Sequence, residues 1–276
     1  MSTGKIANMD LILFLKFILI LAVIPLGLYL IKIPKRRKRA KLYKSDFPKE
    51  WVEVLINKFA LYENLPGNIR RQLHGHILIF LDEKNFVGYK GIVINDTIRV
   101  VIAAQACILL LNRKTNYYPH LGNILVYPNV FTHADGEGGQ HRGRLGESWH
   151  RGPIVLSWQH SEQGGENDKD GDNVVMHEFA HQLDQENGGS DGLPILQHNN
   201  IRQWSTVLAK EFKALKLKLK MRKSSLLDKY GATNPAEFFA VITEHFIEQP
   251  RQLNEKHPEL YAELKKYYQI DPIQWF

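Results

Sequence analysis

Val174–Asp184 reads VVMHEFAHQLD. Within it His177, Glu178 and His181 have the spacing H-E-x-x-H that holds zinc in hydrolases. On a helix the two histidines lie about 40° from superposition, so both imidazoles reach one ion. Glu178, beside the first ligand, is then placed to act on the attacking water. Val175, Met176, Phe179, Ala180 and Leu183 share one face, whereas Val174, His177, His181 and Asp184 share the other. The pattern predicts a helix with its back in the core and its histidines toward a cleft, stopping before Gly188 and Gly189. The motif is short, and a helix with solvated or core-satisfied His and Glu would read the same way. A third ligand downstream separates the two.

Two carboxylates compete for that role. Asn234 is a natural N-cap and Pro235 suits the first helical position, so a helix should run from there to about Gln249, before Pro250. Glu237 falls where a capping-box carboxylate sits, and it could equally complete a His₂Glu metal set. Glu244 lies seven residues on, nearly on the same face, and spacing alone does not choose between them.

Upstream, Trp51–Tyr62 and Asn68–Leu81 have helical spacing, separated by Leu65-Pro66-Gly67. His74 and His76 face different directions on such a helix and read as structural or exposed. Phe86–Asp96 reads as strand with turns, Ile98–Asn112 as a buried helix containing Cys107, and Ile124–Tyr127 as a short strand. His133–Gly146 is Gly-rich with two histidines and reads as a loop in which a second metal site is conceivable. Ile154–Trp158 reads as a strand, either an ordinary core strand or an exposed edge able to hold an extended peptide. Gln163–Asp172 reads as a polar loop. In Trp204–Arg222 the Lys/Leu alternation is a solvated helix face or a partner surface.

The net charge of +7 is not spread over the chain. Residues 1–44 hold ten Lys/Arg and one acidic residue, leaving the remainder at −2. That balance gives no nucleic-acid-binding surface, and direct nucleic-acid binding is not expected. Residues 11–33 are apolar enough and long enough to span a hydrocarbon core of about 30 Å, with Lys16 and Lys32 toward the ends. Eight Lys/Arg between Lys32 and Lys44 follow this run, against Lys5 alone ahead of it. The positive-inside rule therefore places the C-terminal side in the cytoplasm. The basic block leaves no small-residue cleavage site of a signal peptide, and a single cysteine offers no intramolecular disulfide.

MHEFAHQLDQENG, YGATNPAEFFAVITEHF, FVGYKGIVINDTIRVVIAAQACILLL and GPIVLSW together resemble the Mlc titration factor A family of zinc-dependent metallopeptidases. The likeness covers about residues 51–271. It implies zinc held by His177, His181 and Glu237, with Glu178 in catalysis. It also implies a role for Tyr230, seven residues before the third ligand, as in lethal-factor-like peptidases. The resemblance further implies an aminopeptidase-type activity on small substrates and a partnership with a transcription repressor. The apolar run and basic block depart from the soluble members, which bears on the partnership more than on the chemistry. The expectation is thus an α+β, zincin-like metallopeptidase domain over residues 45–276, carried by an N-terminal transmembrane helix and basic block in residues 1–44. It would sit single-pass in a bacterial-type inner membrane, facing the cytoplasm, and hydrolyse a peptide or protein with a zinc-activated water. The alternative is a membrane-tethered regulatory protein with a non-catalytic metal site.

Overall fold

A computed structural model describes residues 33–129, 146–148, 152–196 and 201–276. The chain divides into two units, residues 1–45 and 46–276. In the first, residues 33–43 of the basic block are helical (α1). Among the described residues no helix is long and apolar enough to cross a membrane. Residues 11–32 of the apolar run lie outside the described residues, as do residues 133–145 of the Gly-rich stretch.

The second unit starts with α2 (Lys49–Lys58) and a 3₁₀ turn, Ala60–Asn64. Next come α3 (Gly67–Glu83), β1 (Asn85–Gly88) and α4 (Asp96–Ile108). The strand is shorter than its sequence suggests. At Gly88 the chain doubles back so closely that a Cβ would lie 2.1 Å from the Ile92 carbonyl oxygen, and Gly91 turns with φ +85°. Asn95 caps α4 by accepting the Ile98 N–H. Ile98 and every residue from Val100 to Ile108 are buried, which is why this helix reads as continuously apolar.

β2 (Asn123–Tyr127), β3 (Gly146–Ser148) and β4 (Ile154–Ser157) complete a sheet of order β1-β2-β4-β3. β1, β2 and β4 are parallel, and β3 runs antiparallel to β4. β4 is therefore an interior strand with all four residues buried, not an edge open to a peptide. The edge beside it is β3. Trp158 opens α5 (Trp158–Glu166), which takes up part of the segment read as a loop.

α6 (Val174–Asp184) lies against α4, α5, β3 and β4, and most extensively against α8 (Pro235–Glu248). Its core face enters an aromatic cluster in which Phe179 sits 4.8 Å from Tyr118 and 5.6 Å from Phe80, centroid to centroid. α7 (Ile201–Lys220), α9 (Pro250–Lys256) and α10 (Pro258–Tyr268) follow the chain to its end. Trp204, Phe239 and Tyr267 lock α7, α8 and α10 together at centroid distances of 5.3–5.9 Å. In the Lys/Leu run of α7, Leu217 and, just beyond the helix, Met221 are exposed. Cys107 is fully buried. His74 stacks 4.0 Å from the Phe47 ring and His76 meets the Tyr117 hydroxyl at 2.9 Å, so both are structural.

Candidate metal centre

α6 is capped at its start by Asn173. The Asn173 side chain accepts the Met176 N–H at 2.9 Å. The whole circumference of the helix is buried, not just the apolar face, because α8 covers the histidine side. The His177 and His181 rings meet edge-on, 4.9 Å apart.

α8 supplies what these histidines face. Asn234 accepts the Glu237 N–H at 3.0 Å, completing one half of a capping box. The other half would turn the Glu237 carboxylate back to the cap. Instead its Oε2 lies 2.9 Å from His177 Nε2 and 3.2 Å from His181 Nε2. One ligand atom from each of His177, His181 and Glu237 lies within 4.8 Å of the others, a group able to hold a metal ion.

Glu244 is directed elsewhere. Its Oε1 is 2.8 Å from His177 Nδ1, and its Oε2 accepts the Asn173 N–H at 2.6 Å. A carboxylate on Nδ1 fixes the ring so that Nε2 faces the partner group, the arrangement that commonly orients metal-binding histidines. One turn further, Glu248 accepts from Asn173 Nδ2 at 2.9 Å and from the Gly171 N–H at 3.0 Å. Asn173 and Glu248 were not legible as site residues. Asn before an apolar helix signals a cap, but nothing in sequence pairs it with a glutamate 75 residues away.

Burial alone would lower the His177 pKa, but the charge of Glu244 and the hydrogen bonds to Glu237 and Glu244 push it up to about 10. Burial would raise the Glu237 pKa, yet its bonds to His177 and His181 hold the carboxyl well below its usual range. The group thus concentrates negative charge around two imidazoles, and a divalent cation would take the place of the protons they share. The donor set fits a metal: two Nε2 atoms, one carboxylate, and a second carboxylate behind the first histidine.

Glu178 is buried on the same helix, and its charge acts on His177. Tyr230 lies in the 3₁₀ turn Lys229–Ala232, where Asp228 accepts its N–H at 2.7 Å. Its ring centroid is 5.8 Å from that of His177. The turn seats on α8 through Gly231, where a Cβ would approach the Val241 Cβ to 3.2 Å.

The glucose-regulated metallo-peptidase M90 family matches residues 33–269. An uncharacterized protein of Synechocystis sp. is 39% identical over 245 residues, covering 86% of this chain and 89% of its own length. Mlc titration factor A of Serratia proteamaculans is 32% identical over 203 residues, 70% of this chain and 77% of its own. Mlc titration factor A of Yersinia pestis is 30% identical over 203 residues, 70% of this chain and 74% of its own length.

Proposed function

The chain belongs to the glucose-regulated metallo-peptidase M90 family, and from that premise we propose that it hydrolyses peptide bonds at a zinc ion held by His177, His181 and Glu237. The observation that carries this reading is the meeting of both Nε2 atoms with one oxygen of Glu237, in place of the capping bond that Glu237 could have made. Bound zinc supplies a Lewis acid, polarising the scissile carbonyl and lowering the pKa of water. Glu178 takes the proton of the attacking water and returns it to the leaving amine. Tyr230 donates a hydrogen bond to the carbonyl oxygen as it becomes negative. Glu244 holds the His177 ring in register. The family resemblance favours aminopeptidase-type cleavage. The apolar run 11–33 and the basic block give this activity a place, single-pass in a bacterial-type inner membrane with the domain in the cytoplasm.

The name Mlc titration factor A, borne by relatives, favours a second reading: a tethered protein that binds a transcription repressor, with its metal group not used for catalysis. Glu178→Gln distinguishes the two. Gln keeps the size but cannot act as a base, so the protein should stay folded and zinc-loaded while turnover of a peptide library falls about 10²-fold or more. Tyr230→Phe should also keep zinc and lose about 10² to 10³ in rate. A zinc-replete Glu178→Gln protein with wild-type turnover would transfer the function to the binding reading.

A further inference from the structure

A cavity of about 770 Å³ opens among the residues after α4, the turn after α6, and helices α7 and α10. That size suits a small-molecule site. Arg113, Glu186, Ile195, Leu196, Trp204 and Tyr267 are in its wall, whereas His177, Glu178, His181, Tyr230 and Glu237 are not.

The wall carries five charged side chains, Arg113, Lys114, Glu186, Glu263 and Lys266; Lys114 is exposed to solvent, and Arg113 and Glu186, of opposite sign, each keep a buried atom in the wall. The Arg113 guanidinium lies 4.1 Å over the Tyr267 ring and 5.7 Å from that of Tyr268, which holds it in place. Glu186 sits in the 3₁₀ turn Gln185–Asn187, and the two charges lie within each other's field. Arg113 Nη1 and Glu186 Oε1 are nonetheless both buried with no hydrogen-bond partner among the described residues. Buried polar groups in folded proteins are normally satisfied, and those left over need a reason. Lys266 and Glu263, also in the wall, pair with each other at 2.6 Å and so cancel. The Trp204 N–H is spent on the Gly192 carbonyl, so its ring, with Ile195 and Leu196, offers apolar surface.

An anion alone would face Glu186, and a cation alone would face Arg113. Only a ligand with both charges at separate ends complements the wall. We propose that this cavity binds a small zwitterion with an apolar side chain, its carboxylate toward Arg113 and its ammonium toward Glu186. Free α-amino acids and the two ends of a very short peptide share that chemistry.

The test is calorimetric titration of the chelator-treated full-length chain, in detergent, with leucine, leucyl-leucine, N-acetylleucine and leucinamide. Chelation removes coordination at the metal group from the signal. Saturable binding of leucine is expected, with the two singly charged analogues about tenfold weaker or more. Whether leucyl-leucine matches leucine decides between a peptide and a free amino acid. Arg113→Met should erase the preference for leucine over leucinamide, though it also removes the cation packed on the tyrosines. Glu186→Gln is nearly isosteric, and it should independently erase the preference for leucine over N-acetylleucine at an unchanged melting temperature. No saturable leucine binding up to about 10 mM, equal binding of the singly charged analogues, or unchanged discrimination in Glu186→Gln would overturn the proposal.

Discussion

Glu237, Glu244 and Glu248 stand on one helix, and their surroundings give them three different tasks. Glu237 meets two imidazole Nε2 atoms, Glu244 meets one Nδ1 and a backbone N–H, and Glu248 meets an amide and a backbone N–H. Burial raises the Glu248 pKa well above its usual value, with the nearby Glu244 charge adding to the rise. Replacing each by Gln should therefore affect zinc in graded fashion. Glu237→Gln removes the only carboxylate in the proposed ligand set and should abolish stoichiometric binding. Glu244→Gln weakens only the support of His177 and should cost about 10- to 100-fold in affinity. Glu248→Gln should leave affinity unchanged and lower stability instead. Competition with a chromophoric chelator measures the order, and loss of zinc in Glu244→Gln with retention in Glu237→Gln would exchange the two roles. The histidine spacing was legible in sequence because ligands on one helix are near neighbours along the chain. The choice between Glu237 and Glu244 was not, because they differ by about 20° around the helix and only the packing of α8 on α6 separates them.

Helix boundaries follow local signals where the signal and the tertiary contact agree. Asn173 and Asn234 both cap helices, and α6 and α8 begin where the sequence says they should. α5 is the opposite case. Gly164 and Gly165 suggest a loop, yet they lie within the helix because a side chain would not fit. A Cβ at Gly165 would lie 2.6 Å from the Lys58 carbonyl oxygen, and one at Gly164 would lie 3.1 Å from the Asn173 side chain. Likewise β4 could not be known as interior, since its neighbours β2 and β3 are fixed by long-range pairing. The two caps differ in depth, and this predicts unequal costs. Asn234→Ala loses one exposed cap bond, about 1 kcal/mol. Asn173→Ala also strips a buried donor from Glu248 and from the Gly164 carbonyl, so about 2–4 kcal/mol is expected. Urea unfolding of both variants measures the difference, and equal losses would mean that the buried bonds add nothing. α3 carries a pH effect. Burial lowers both His74 and His76 to about 4, the Arg70 charge adding to the shift at His74. Between about 6.5 and 4 the unfolded chain binds protons that the folded chain refuses. Stability should therefore be fully present above this window and fall as pH drops through it, by up to about 1.4 kcal/mol per pH unit per histidine. A His74→Gln/His76→Gln double variant should flatten the profile, and an unchanged slope would assign the acid sensitivity to other groups.

The distribution of charge over the whole molecule carries a prediction that no single element could. Residues 1–44 carry a net charge of +9, more than the whole chain's +7, while the rest of the chain is close to neutral at −2. A nucleic-acid-binding enzyme would be expected to place its basic surface on the folded domain. Here the excess is next to an apolar run, and residues 33–43 of it are helical. If residues 11–33 span a bilayer as proposed, eight basic residues on one side and Lys5 on the other would bias insertion, because Lys and Arg resist transfer across the bilayer. A reporter active only in the cytoplasm and fused after Phe276 should be active, and one active only in the periplasm should be silent. Neutralising the basic residues between Lys35 and Lys44 should weaken the bias and give a mixed population, whereas neutralising Lys5 should leave it unchanged. Extraction by alkaline carbonate separates a spanning chain from one held by charge alone, since high pH and salt release the latter. If the chain is released, the apolar run does not span. If it stays but the periplasmic reporter is active, the orientation is reversed, and the peptide substrates and any repressor partner proposed for a cytoplasmic site could not reach it.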